Sequence, residues 1–158
     1  EQFYRRFVEN HLAKLKDDRV QSLCQRFGRS ADKGAELVAR AVLEKNAKRE
    51  LQGVACLALG KLLKKRSEGM SDKEAEEAAK VRKEAERYLT RAQKDYGDVK
   101  AGYLGSVARH ADGELFELLH LAEGMVVPDI EGEDLDAQKF KLSNYRGKVV
   151  LLDFWGNW

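Results

Sequence analysis

A marked excess of charge of either sign is missing from this chain. Its 29 Lys and Arg face 27 Asp and Glu, for a formal net charge of +2. With no long basic run either, nothing argues for a nucleic-acid partner. The densest basic cluster, Lys64-Lys65-Arg66, reads as the closing residues of a helix, at its negative end. No apolar run approaches the roughly 18 residues of a membrane helix. Residue 1 is Glu rather than Met, so the lack of a visible signal peptide carries no weight. Cysteine is scarce: Cys24 and Cys56 form no C-x-x-C, and each lies on the apolar stripe of an expected helix, which reads as two buried small hydrophobes. A mutual disulfide is left open, because it depends on geometry. Dinucleotide fingerprints, phosphate loops, Gly-x-Ser-x-Gly and His-Glu-x-x-His are all absent. Glu117-Leu-Leu-His120 has the Glu-x-x-His spacing of di-iron bundles, but a single copy reads as a surface helix pair. His11 and His110 have no neighbours at ligand spacing, so no metal and no cofactor is expected.

What is present is helical periodicity over residues 1 to 122. Phe3, Phe7, Val8, Leu12 and Leu15 recur at helical spacing. Asp18 with Gln21 resembles a capping box opening a second helix, which carries Val20, Leu23, Cys24 and Phe27 and stops at Gly28. Ser30 or Asp32 starts a third helix through Leu37, Val38, Ala41 and Val42, ending near Asn46. Leu51 to Leu63 is apolar nearly all round, which marks a central helix. Gly53 and Gly60 weaken it by about 1 kcal/mol each relative to Ala, and close approach of a neighbouring helix is the expected compensation. Ser71 or Asp72 caps a long charged helix with Ala75, Ala78, Ala85, Leu89, Ala92 and Tyr96 on one face, ended by Gly97. Residues 98 to 111 are expected to be loop, followed by a short helix over Glu114 to Leu121.

The character changes at Gly124. Pro128, the only proline, opens an extended stretch. Ile130 to Asp134 and Lys139 to Leu142 predict a hairpin, with Phe140 and Leu142 alternating against Lys139 and Lys141. The Asp136-Ala137 pair sits where glycine would relieve a positive φ, at a cost of roughly 1 kcal/mol for Ala137. Ser143 is expected to cap the turn Asn144-Tyr145-Arg146, closed by Gly147. Val149 to Leu152 then reads as a strand that a mostly parallel sheet would bury on both faces; without its parallel neighbours it exposes edges and apolar faces, so residues 124 to 158 are expected to pack poorly or to lean on the helical domain.

Two resemblances follow from these residues. Ala85, Leu89, Ala92 and Gly97, with Leu59-Gly60 and Leu63 before them, resemble a tetratricopeptide hairpin with thirteen residues inserted between its helices. Pro128-Asp129-Ile130, Phe140 to Lys148 and Val149 to Trp158, in that order, resemble the start of a redoxin domain of the thioredoxin superfamily, TlpA/ResA type. That resemblance covers about a fifth of the chain. With the helical periodicity before it, this gives a mostly α protein: a helical domain over 1-122, then, as the resemblance implies, the first β elements of an incomplete thioredoxin-like α/β domain over 123-158.

The resemblance also implies function. In such domains the strand delivers a nucleophilic cysteine to a helix N-terminus, where the dipole and free N–H groups favour the thiolate. The full-length protein is then a thiol–disulfide oxidoreductase acting on protein disulfides or thiols, with the redox cysteines expected just after Trp158. This chain is expected to be inactive by itself. Trp155 and Trp158 would pack around the redox pair, and Asp153 matches a buried carboxylate that assists proton transfer. Phe154-Trp-Gly-Asn-Trp158 lacks the proline and threonine of a peroxiredoxin turn, which favours the dithiol type. A bacterial, extracytoplasmic or membrane-anchored setting is implied by resemblance only. The alternative is a helical protein-interaction module, its hairpin presenting a groove to a protein partner, with a non-catalytic or peroxiredoxin-like C-terminal domain.

Overall fold

The computed structural model describes residues 2–101, 105–122, 124–153 and 155–156. The chain divides into two compact units, Glu1–Ala122 and Glu123–Trp158, taken here one at a time. The described residues are mostly helical, with one two-stranded antiparallel sheet near the C-terminus.

The first unit holds six α-helices among its described residues: α1 Gln2–Asn10, α2 Asp17–Phe27, α3 Lys33–Lys45, α4 Arg49–Glu68, α5 Ala75–Tyr96 and α6 Val107–His120. Helix α4 is the axis. It packs against α2, α3, α5 and α6, and its buried residues occupy every face, including Leu51, Val54, Cys56, Leu59, Leu62 and Leu63. A helix surrounded in this way needs no polar stripe, which is why its sequence shows none.

The two glycines of α4 sit where its neighbour comes closest. A Cβ on Gly60 would lie 2.6 Å from the Leu89 side chain, and one on Gly53 would lie 2.9 Å from Tyr96 Cβ. The missing side chains therefore let α5 approach, and the packing gained offsets the propensity lost. The outward face of α5 carries the charges, while Ala85, Leu89, Ala92 and Tyr96 are buried. Ala75, expected on that inner face, is exposed.

Local chemistry sets most helix ends. The Asp32 carboxylate accepts from the N–H groups of Gly34 and Ala35 at 2.7 and 2.9 Å, opening α3. Before α5, the Glu74 carboxylate accepts from the Ser71 hydroxyl at 2.7 Å and from the Ser71 N–H at 3.2 Å. Two expectations are corrected. Helix α2 begins at Asp17, with Lys16 at the cap position and no side-chain cap; Asp17 and Asp18 lie in its first turn, where carboxylates complement the helix dipole, and Asp17 also pairs with Lys48. Residues 107–111 are helical rather than loop. Ser106 accepts from Arg109 N–H at 3.4 Å, and Val107, Ala111 and Leu118 bury one stripe of α6. Gly113 faces open space, so it costs only its propensity, and packing outweighs that.

The lone basic cluster also has a larger role than ending a helix. Lys64 is buried and bonds Glu114 at 2.8 Å and also Glu117, while Lys61 bonds Glu114 at 2.8 Å. These ion pairs tie α6 to α4. On the opposite side, Glu36 joins Arg40 and Arg66, and Arg40 reaches Glu84 of α5 at 2.8 Å.

Strands β1 Glu131–Glu133 and β2 Lys139–Lys141 form the hairpin of the second unit, with Glu131 opposite Lys141, Gly132 opposite Phe140 and Glu133 opposite Lys139. Opposite charges face each other on one side, and Phe140 lies across Gly132 on the other.

Candidate functional site

The residues leading to the expected redox site are assembled by the second unit. The hairpin turn comes first. The Asp134 carboxylate accepts from Asp136 N–H at 2.9 Å and from Gln138 N–H at 2.8 Å, holding the tip closed. Ala137 adopts φ +57°, the left-handed geometry foreseen for it. Leu142 N–H then donates to Ile130 O at 2.9 Å, carrying the pairing one step past the strands.

The next turn differs from expectation. Ser143 does not cap it but lies within a 3₁₀ turn, Leu142–Tyr145, preceded by Lys141. Its hydroxyl and its N–H both donate to the Asp129 carboxylate, at 2.7 and 2.8 Å. These two bonds hold the Asp129 carboxyl below its usual range. In the sequence Asp129 stands in the Pro128-Asp129-Ile130 element with no bonding role legible, because its partner lies fourteen residues on, beyond the reach of local capping patterns. Gly147 closes the turn at φ +83°.

The run after Gly147 does not take the buried strand of a completed sheet; its apolar residues lie open, as expected of a central strand without its parallel neighbours. Val149 to Leu152 forms no ladder among the described residues, and Val149 and Leu151 are 104% and 93% exposed. A strand buried on both faces needs paired strands beside it and cover above and below. The described residues of this unit supply only the hairpin. Asp153, expected as a buried carboxylate, is exposed for the same reason, and Trp155 is 87% exposed. Phe154 and Trp158 lie outside the described residues.

The two cysteines of the chain belong to the other unit. Both are buried free thiols in the helical unit, and burial pushes each up to about 12. The Cys56 S–H donates to the Tyr88 carbonyl at 3.4 Å. Thiolate is the reactive form, and these thiols stay protonated near neutral pH. The Glu117–His120 pair is likewise occupied structurally: Glu117 bonds Lys64, and the His120 ring lies 5.1 Å from that of Phe116. Among the described residues, no group of three or more His, Cys, Asp or Glu could hold a metal ion. No helix among them is long and apolar enough to cross a membrane.

The fold so described is mostly α with a short antiparallel hairpin. No protein-family model and no solved structure matches it. Curated proteins do match over a short stretch. The chain is 45% identical over 38 residues to the thiol-disulfide oxidoreductase ResA of Geobacillus thermodenitrificans (strain NG80-2), 24% of this chain and 22% of that protein. It is 47% identical over 38 residues to ResA of Geobacillus kaustophilus (strain HTA426), with the same coverage. The matched part of the chain thus spans 22% of the length of these relatives, and in that part it is similar to thiol–disulfide oxidoreductases.

Proposed function

We propose that this chain is part of a thiol–disulfide oxidoreductase of the redoxin type. In this reading, residues 123-158 are the N-terminal part of a thioredoxin-like domain, and residues 1-122 form a separate helical domain. The observation that carries it is the 38-residue similarity to ResA. It is supported by the order of elements in the second unit: a proline-led hairpin, a 3₁₀ turn pinned by Asp129, and an apolar run ending in tryptophans.

The chemistry follows from thiol exchange. A thiolate attacks one sulfur of a substrate disulfide, and the other sulfur leaves as thiolate, giving a mixed disulfide. A second enzyme cysteine attacks the enzyme-side sulfur and releases the substrate as a dithiol. Two electrons pass to the substrate, and the enzyme pair becomes a disulfide. In the completed domain, Trp155 and Trp158 form the apolar surface beside the pair, and Asp153 becomes buried and handles protons for the second cysteine. Protein disulfides or thiols are the substrates, and an extracytoplasmic or membrane-anchored bacterial location suits them.

This reading expects Cys-x-x-Cys in the coding sequence that follows the Trp158 codon. A single cysteine there would point to a peroxiredoxin-like domain, and none would leave a non-catalytic one. The chain of 158 residues is expected to show no dithiol-dependent reduction of insulin, and turnover by it would overturn the account of Cys24 and Cys56.

A second reading rests on the helical unit. Helices α4 and α5 pack against each other, with Gly60 beside Leu89, and the tetratricopeptide-like reading makes this pair the groove-presenting hairpin. A protein-interaction role expects residues 1-122 to fold alone and to retain a defined partner. Loss of that partner when the second unit is removed would count against it.

A further inference from the structure

The helical unit contains a cleft of about 290 Å³ between α2, α4 and the start of α6. We infer that it binds a small monoanion with an apolar body, of the class of a medium-chain carboxylate. The inference stands on the helical unit alone and is independent of the redoxin reading.

The floor and the mouth of the cleft differ in chemistry. Cys24, Val54, Leu57 and Ala58 line the floor and belong to the core, so an occupant there meets sulfur and hydrocarbon only. The polar lining residues are Gln25 and Arg29, both exposed, and Lys61 and His110, both half-buried, which sets them on the solvent side. Among the described residues, no acidic residue lines it. Apolar walls with a few convergent polar groups are the usual composition of a small-molecule site. The volume lies at the small end of the roughly 300–1,000 Å³ such sites span, which limits the body to a short chain or one small ring system.

The charges at the mouth set the sign and number on the ligand. Lys61 is already matched, its ammonium 2.8 Å from the Glu114 carboxylate. The Arg29 guanidinium has no ion-pair or hydrogen-bond partner among the described residues; only the main chain of Arg29 is bonded, its N–H to the Arg26 carbonyl at 3.1 Å and its carbonyl accepting from Lys65 at 2.8 Å. That Lys65 ammonium also offsets the negative end of α2, which would otherwise repel an anion here. One unmatched guanidinium suits one carboxylate, which it can meet with two parallel bonds. A neutral ligand of the same shape would leave it unmatched.

Octanoate and 1-octanol separate these contributions, titrated into the full chain by calorimetry and by amide chemical shifts. The expected result is saturable one-to-one binding of octanoate, with shifts at Leu57, Ala58 and Arg29, and 1-octanol about tenfold weaker, the size of one charge-assisted hydrogen bond. Arg29→Gln should weaken octanoate about tenfold and leave 1-octanol unchanged. Gln25→Trp, on the exposed rim, should block both, and circular dichroism checks that each variant keeps its helices. Failure to saturate in the millimolar range, equal affinity for the alcohol, an unaffected Arg29→Gln, or shifts confined to the exposed run Val149 to Leu152 would each overturn the inference.

Discussion

The two units place equally hydrophobic residues in opposite surroundings. In the helical unit, Leu59, Leu62 and Leu89 have no exposed surface at all. In the second unit, Val149, Leu151 and Trp155 are almost wholly exposed. Hydropathy is the same in kind; what differs is the supply of neighbours. Five helices wrap around or against α4 and its partners, whereas the hairpin alone cannot cover a strand on two faces. A buried position is therefore a property of the surroundings, and a hydrophobic run only states what surroundings it requires.

That contrast can be broken by experiment. The largest effect is expected from Leu59→Ala, which should cost about 2–5 kcal/mol in denaturant unfolding. Val149→Ala should change stability by less than about 0.5 kcal/mol in the same assay. A large cost at Val149, or strong hydrogen-exchange protection of Val149 to Leu152 in a monomer, would show that the run has found cover.

Next in size is Gly60→Ala. Its new Cβ would fall 2.6 Å from the Leu89 side chain and 3.1 Å from Leu89 N. The backbone atom cannot swing aside, so separation of α4 from α5 should cost about 1–3 kcal/mol. An unchanged melting temperature would mean that the helices are less tightly seated than described here.

The ion pairs between α4 and α6 give a pH dependence of smaller size. Burial by itself raises the Glu114 carboxyl, but hydrogen bonds from Lys61 and Lys64 outweigh it and hold the group below its usual range. Its contribution is therefore present above the unfolded carboxylate value of about 4.3 and is lost as pH falls through the lower folded value. Burial lowers Lys64, and the bonds it donates to Glu114 and Glu117 more than reverse it, so its value is raised. That contribution is present below about 10.4 and is lost as pH rises through the folded value. Amide exchange in α6 should accordingly quicken at both extremes, and Glu114→Gln should remove the acid limb. An acid limb unchanged in that variant would assign it to another carboxylate.

The smallest effect belongs to the hairpin. Ala137→Gly relieves a positive φ and should stabilise the turn by up to about 1 kcal/mol, seen as slower exchange of the Gln138 amide. No change would mean that Asp134, through its two bonds to the tip, already absorbs the strain.

Much of the helical unit was legible because its signals are local or periodic. Asp32 was one of two candidates for the cap of α3, and the bond to Gly34 selects it. The all-round apolar sequence of α4 and its two glycines together announced a central helix approached closely by another. The start of α6 was not legible, since the nearby glycines Gly105 and Gly113 suggested a loop while the stripe of Val107, Ala111 and Leu118 runs past Gly113. Lys64 looked like an end-of-helix charge because its partners, Glu114 and Glu117, lie some fifty residues away. Ser143 was misplaced for the same reason, its partner Asp129 being outside the local window.

The sequence by itself determined the helices, the hairpin with its strained Ala137, and the similarity to thiol–disulfide oxidoreductases, because each rests on periodicity, turn chemistry or residue order along the chain. Only the tertiary structure decided which charges are paired, where the cleft opens beside Arg29, and whether Val149 to Leu152 and Asp153 are covered. Those outcomes depend on residues far apart in sequence reaching the same place. The physical reason is that burial and charge pairing are set by neighbours in space, which no local pattern specifies.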